Sequence, residues 1–126
     1  MRPLVLLLSL AGALLLSACG EDKIKVPADA GATHTGAVLF KQRCAGCHTL
    51  GAAGTQGSTT KVTDKENVDG PNFDQRTEKK DDVIFAIANG GFSGAIMPEN
   101  IATGPEAQQI ADFLDKYSGR AKSTGG

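Results

Sequence analysis

Apolar positions along this chain follow two rhythms, an unbroken run at the start and helical spacing later, with stretches between them that have no period. Arg2 precedes the run Leu4-Val5-Leu6-Leu7-Leu8, which resumes at Leu14-Leu15-Leu16. A positively charged start and a short apolar core read as an export signal over residues 1–18, too short and wrongly flanked for a comfortable membrane span. Gly20 to Thr33 is charged and then rich in Ala, Gly and Pro. Its lack of any apolar period predicts a flexible linker over residues 19–34. About 14 such residues would have an end-to-end distance of roughly 20 Å.

Helical spacing begins after the linker. A first helix is expected from Thr35, which can cap it, to about Ala45, with Gly36, Leu39, Phe40 and Arg43 on related faces. Gly51 to Asp69 reads as loop, with a short hairpin expected around Lys61–Thr63. Val83, Ile84 and Ile87 predict a second helix from Glu78 to Asn89, stopped by Asn89-Gly90-Gly91. Thr103-Gly104-Pro105-Glu106 resembles a capping box, and Ala107, Ile110, Phe113, Leu114 and Tyr117 continue it as a helix ending at Ser118-Gly119. Residues 119–126 are expected to be a disordered tail. The pattern has no internal repeat.

Composition sharpens this picture. With no Trp, one Tyr and five Phe, the domain over residues 35–118 lacks large apolar side chains, and a domain this small buries only a modest core. It needs apolar bulk from elsewhere. The chain has 13 Lys and Arg against 14 Asp and Glu. Losing Arg2 with the signal makes the net charge one unit more negative. No basic run reads as a nucleic-acid surface, and the charge is too near neutral to choose a partner by electrostatic steering.

The missing bulk has a candidate in Cys44-Ala45-Gly46-Cys47-His48. C-x-x-C-H is the attachment signal for c-type haem. Two thiols two residues apart can each add across one porphyrin vinyl group, and the next histidine supplies a nitrogen to the iron. The same residues also admit a dithiol redox site, half a zinc site, or a disulfide. The first normally sits beside a βαβ pattern, which is missing here. Zinc wants four ligands, and outside the motif only Cys19 and His34 remain. A disulfide across two residues staples almost no loop. On the haem reading, the porphyrin completes the core, so the apo chain is expected to fold poorly.

Leu16-Ser17-Ala18-Cys19 resembles the bacterial lipobox. That resemblance implies that Cys19 is lipidated and begins the mature protein, whereas an ordinary signal peptide or an uncleaved anchor helix would leave it unmodified. With Cys19 on lipid and Cys44 and Cys47 on haem, the three cysteines of the chain are all assigned. A second axial ligand is expected at Met97, the remaining methionine once Met1 is lost, in Gly94-Ala95-Ile96-Met97-Pro98. Met/His ligation raises the reduction potential. A lone methionine can equally be gap-filling core. His34, the other histidine, is expected to be solvated. Gly70-Pro71-Asn72-Phe73 offers a rigid turn able to hold a carbonyl acceptor for the second ring nitrogen of His48.

Taken in order, the Gly36…Phe40 helix, CAGCH, Gly-Pro-Asn-Phe, the helix ending in Asn-Gly-Gly, Met97-Pro98 and Ile-Ala-Asp-Phe-Leu resemble class I cytochrome c over about residues 35 to 118. The resemblance implies an all-α fold of about three main helices around one covalent haem c. It also implies that Gly36 and Phe40 pack against Ile110 and Phe113, and that the Pro71 carbonyl accepts from His48. Cytochromes of this kind are assembled outside the cytoplasm, which agrees with an export signal. The expected function is a monomeric electron carrier, not an enzyme, lipid-anchored outside a bacterial membrane and serving membrane redox complexes or soluble redox proteins. A haem-based sensor or catalyst, and a dedicated subunit of a dehydrogenase or oxidase, are the alternatives. The long Gly51–Asp69 segment departs from the compact family pattern.

Overall fold

The computed structural model describes residues 23–57, 70–92 and 96–120. The expected signal segment, Cys19, the hairpin around Lys61–Thr63, Gly94, Ala95 and the tail from residue 121 lie outside them. The described residues form α1 (Ala32–Arg43), a two-residue hairpin of β1 (Thr49–Leu50) and β2 (Thr55–Gln56), α2 (Lys80–Asn89) and α3 (Gly104–Tyr117). The protein is therefore a small all-α domain of three main helices with little strand.

α1 and α3 cross at Gly36. A Cβ there would lie 2.1 Å from the Gln109 carbonyl oxygen and 2.9 Å from Phe113 Cβ, so hydrogen alone at this position lets the helix backbones approach. The approach seals the largest fully buried side chains, Phe40, Phe113, Leu50 and Ile110. Phe40 meets Phe113 edge-on at 5.8 Å and Phe73 at 5.9 Å, a geometry in which ring edges face ring faces favourably. α2 docks on α3 through Val83 and Ile87. It ends at Gly90, whose φ of 71° makes the left-handed cap expected of Asn89-Gly90-Gly91.

Several local expectations are corrected. α1 starts at Ala32, not Thr35, with Gly31 as its N-cap. The Thr35 hydroxyl instead donates back to the Gly31 carbonyl from the first turn. The segment before α1 is docked where the sequence predicted linker. Val26 is buried, Lys25 N–H donates to the Ala52 carbonyl at 2.9 Å, and His34 Nδ1–H donates to the Val26 carbonyl at 3.0 Å. His34 is thus half-buried and engaged rather than solvated. One apolar side chain with two such bonds anchors a segment too short to show a period.

Thr103 caps α3 by position, yet its side chain makes no capping bond. The Glu106 carboxylate is drawn instead to Arg43, 2.7 Å away, while the same guanidinium donates to the Ile101 carbonyl at 3.0 Å. A pairing between helices has replaced the local box. α2 begins at Lys80, two residues later than expected, because Glu78 is buried in extended chain and its N–H donates to Ser118 Oγ. The hairpin β1–β2, with Thr49 opposite Gln56 and Leu50 opposite Thr55, was not anticipated. The Thr55 hydroxyl holds it by donating to the His48 carbonyl and accepting from Leu50 N–H.

Candidate haem site

The C-x-x-C-H run is a turn continuing directly out of α1. Cys44 N–H donates to the Phe40 carbonyl, and Cys47 and His48 N–H both donate to the Cys44 carbonyl at 3.1 and 2.9 Å. Both cysteines are free thiols, Cys44 buried and Cys47 exposed, so the motif is not closed as a disulfide. Burial pushes the Cys44 thiol up to about 12, against a smaller opposing pull from Arg43.

His48 is held on three sides. Its Nδ1–H donates to the Pro71 carbonyl at 2.9 Å, leaving Nε2 as the nitrogen with a free lone pair. Phe73 stacks on the ring at 4.5 Å and 12°. Gly70 lies under the imidazole so closely that a Cβ there would sit 2.1 Å from Cε1. Residues 70–73 are tied to the motif by Gly70 N–H to the Cys47 carbonyl and Phe73 N–H to the Thr49 carbonyl, both 2.9 Å. Burial lowers the His48 pKa by disfavouring the cation; the Pro71 bond opposes this and Arg76 adds to it. The ring is therefore favoured in its neutral form, the one that donates to a metal.

Met97 lies against Gly90 and Gly91 at the end of α2. The loop carrying it is pinned to the end of α2, where Asn100 N–H donates to the Ile87 carbonyl at 2.8 Å. Met97 is half-buried against the core. The Gly-rich approach that the sequence singled out lies partly outside the described residues.

Cys44, Cys47, His48, Pro71 and Met97 all line one cavity of about 480 Å³ whose other walls are mostly apolar, among them Phe40, Ile87 and Leu114. That volume is in the roughly 300–1,000 Å³ range of cofactor sites. Two thiols, a nitrogen with a free lone pair and a thioether around apolar walls match the donor set of a covalent haem, so the residues present fit the group. Among the described residues, no cluster of three or more His, Cys, Asp or Glu could hold a metal ion by itself.

Sequence reasoning placed these five residues but missed others at the cavity. Gly70 and Phe73 were seen as parts of a turn, not as the floor and stacking partner of His48. Arg76 and Glu78 also line the cavity. Glu78 was read as the polar start of a helix, and nothing in its immediate neighbours signals burial.

Comparison with known proteins agrees with this geometry. The family described as "Cytochrome C oxidase, cbb3-type, subunit III" matches residues 31–114. Among solved structures, the c-type cytochrome SorU from Sinorhizobium meliloti is similar, with 28% identity and a TM-score of 0.53, over 70% of this chain and 92% of that one. A comparison with curated proteins gives no match. The chain belongs to the cbb3-type cytochrome c oxidase subunit III family, as a class I-like cytochrome c domain that binds one haem c covalently and carries electrons.

Proposed function

We propose that the protein is a membrane-tethered carrier of single electrons, lipid-anchored through Cys19 outside a bacterial membrane and serving redox complexes or soluble redox proteins there. The observation that carries the electron-carrier part of this reading is the convergence of Cys44, Cys47, His48 and Met97 on one apolar cavity, while the tether rests on the lipobox resemblance of Leu16-Ser17-Ala18-Cys19. In this reading Cys44 and Cys47 would hold haem by thioethers, His48 Nε2 and Met97 Sδ would bind its iron, and the bound haem would supply a one-electron couple. The Pro71 carbonyl fixes the imidazole, and the apolar walls exclude water. Met/His ligation would raise the potential of the haem.

Phe92 and Ile96 line the cavity and stay 63% and 52% exposed, and Phe85, 51% exposed, stacks on Phe92 at 5.2 Å. An apolar rim of this size supports brief contact with a redox partner rather than a permanent interface. Among the described residues no helix is long and apolar enough to cross a membrane.

Met97→Ala tests the carrier reading. The weak long-wavelength sulfur–iron band of the oxidised protein is expected to vanish, the potential to fall, and carbon monoxide to bind the reduced protein, while the haem stays covalent. Ready carbon monoxide binding by the unsubstituted protein would instead identify a sensor or catalyst. The tether has its own test. Cys19→Ser is expected to move the domain into the soluble fraction with haem intact; equal membrane retention would point to an uncleaved helix or a tight partner. The matching family's description as an oxidase subunit favours a second reading, a dedicated subunit of such a complex. Stable co-purification from solubilised membranes would establish that reading over a carrier that dissociates.

A further inference from the structure

Glu78 places a carboxylic acid in the wall of the haem cavity. It is 7% exposed and lines the same cavity as His48 and Met97. Among the described residues, its buried Oε1 has the Arg76 guanidinium as an ion-pair partner but no aligned hydrogen bond. Arg76 Nε lies 2.5 Å from that oxygen as an ion-pair contact, but the guanidinium side chain is 54% exposed, so water screens much of its charge. The other groups around Glu78 do little to hold it ionised. Asp82 of α2 repels it. Ser118, at the end of α3, accepts from the Glu78 backbone N–H rather than donating to the carboxylate. Lys80 of α2 is paired with Asp112 of α3. Burial and the Asp82 charge raise the carboxyl above its ordinary range, with Arg76 opposing.

A buried, under-solvated carboxylate beside a redox centre feels the charge of that centre. Ionised Glu78 stabilises the more positive, oxidised state, and an added electron makes the ionised carboxylate less favourable. We propose that Glu78 binds a proton when the protein is reduced and releases it on oxidation, so that the carrier moves a proton with its electron over part of the pH range. On reduction, the iron takes one electron from the donor and the Glu78 carboxylate takes one proton from water, forming one O–H bond. Oxidation returns both. The inference rests on the haem-carrier reading and deepens it. Haem filling the cavity would bury Glu78 further and strengthen the coupling.

The sign follows from linkage. Below the proton affinity of the oxidised protein, Glu78 is protonated in both states and the potential is flat. Above that of the reduced protein, it is ionised in both and the potential is flat again at a lower value. Between the two the potential falls with rising pH, by at most about a tenfold change in the redox equilibrium per pH unit. Burial places this window above the ordinary carboxylate range. The test is a spectroelectrochemical titration of the haem-loaded protein across pH 4 to 9, on the unsubstituted chain and on Glu78→Gln. The unsubstituted protein is expected to show the sloping window and the variant to lack it. A potential independent of pH, or a slope that survives in Glu78→Gln and so belongs to the haem propionates, overturns the assignment. If the variant does not fold, reduced-minus-oxidised infrared spectra of the unsubstituted protein decide. A protonated-carboxyl band gained on reduction and shifted by isotopically labelled glutamate supports the proposal, and its absence overturns it. A protein without covalent haem has no potential to titrate, so failure of the carrier reading is recognised separately.

Discussion

Replacing both Cys44 and Cys47 by alanine is expected to give a chain from which acidic acetone strips all haem and which no longer unfolds cooperatively. The unsubstituted protein should keep its colour through the same extraction and carry one extra haem mass. Non-covalent haem has only axial bonds and apolar contact to retain it, whereas two thioethers survive denaturation. The folding consequence comes from the cavity. The cavity of about 480 Å³ opens to solvent beside the exposed Phe92 and Ile96, so without haem its apolar walls face water. Small domains have only about 5–15 kcal/mol of stability to lose. The apo chain must therefore collapse inward or admit water against Phe40, Ile87 and Leu114. Near-ultraviolet circular dichroism and thermal unfolding of the double variant provide the check. A cooperative transition at an unchanged temperature would show that the protein packing alone suffices.

Gly36→Val should be strongly destabilising although it touches no haem ligand. In an isolated helix, replacing glycine by alanine gains about 1 kcal/mol, and valine somewhat less. Packing reverses the sign here. The first added carbon would lie 2.1 Å from the Gln109 carbonyl oxygen and 2.7 Å from its carbon. Those are backbone atoms inside α3, which cannot rotate away, so the helices must separate. Separation opens the Phe40–Phe113 contact and loosens the wall of the cavity. A loss of about 3 kcal/mol or more is expected, at the upper end of overpacking costs. For a domain of this size it lowers Tm by roughly 12–24 °C. Thermal unfolding of the haem-loaded protein measures it, and a change of less than about 1 kcal/mol would contradict the close crossing.

Both effects trace to residues that the sequence singled out, which shows where sequence reasoning has its reach. The haem motif is five contiguous residues whose chemistry depends on short covalent spacing, so it can be read without a fold. The second and third helices carry their apolar stripes, stops and boundaries in contiguous sequence, and the structure keeps them with end shifts of one or two residues. Gly36 became legible through the family resemblance, because hydrogen at a crossing point leaves no trace in periodicity.

Where local signals competed with distant partners, the distant partners prevailed. Glu106 satisfied every local condition for a capping box, but Arg43 offered a full charge across the helix crossing. Val26 lacked periodic neighbours, yet burial and two hydrogen bonds docked its segment. Thr49–Gln56 was too short for an alternation signal and is held by two threonine hydroxyls, that of Thr55 bonding His48 and Leu50 and that of Thr49 donating to the Gln56 carbonyl.

The sequence by itself determined the covalent chemistry, the helical class and the residues able to meet an iron, because each depends on residue type at short spacing. The tertiary structure alone decided which groups share the cavity. It stacked Phe73 on His48, put Gly70 beneath the imidazole and buried Glu78 beside Arg76. Burial is a sum over contacts from segments far apart in the chain. A carboxylate's cost of ionisation is set by that sum, and no pattern around residue 78 contains it.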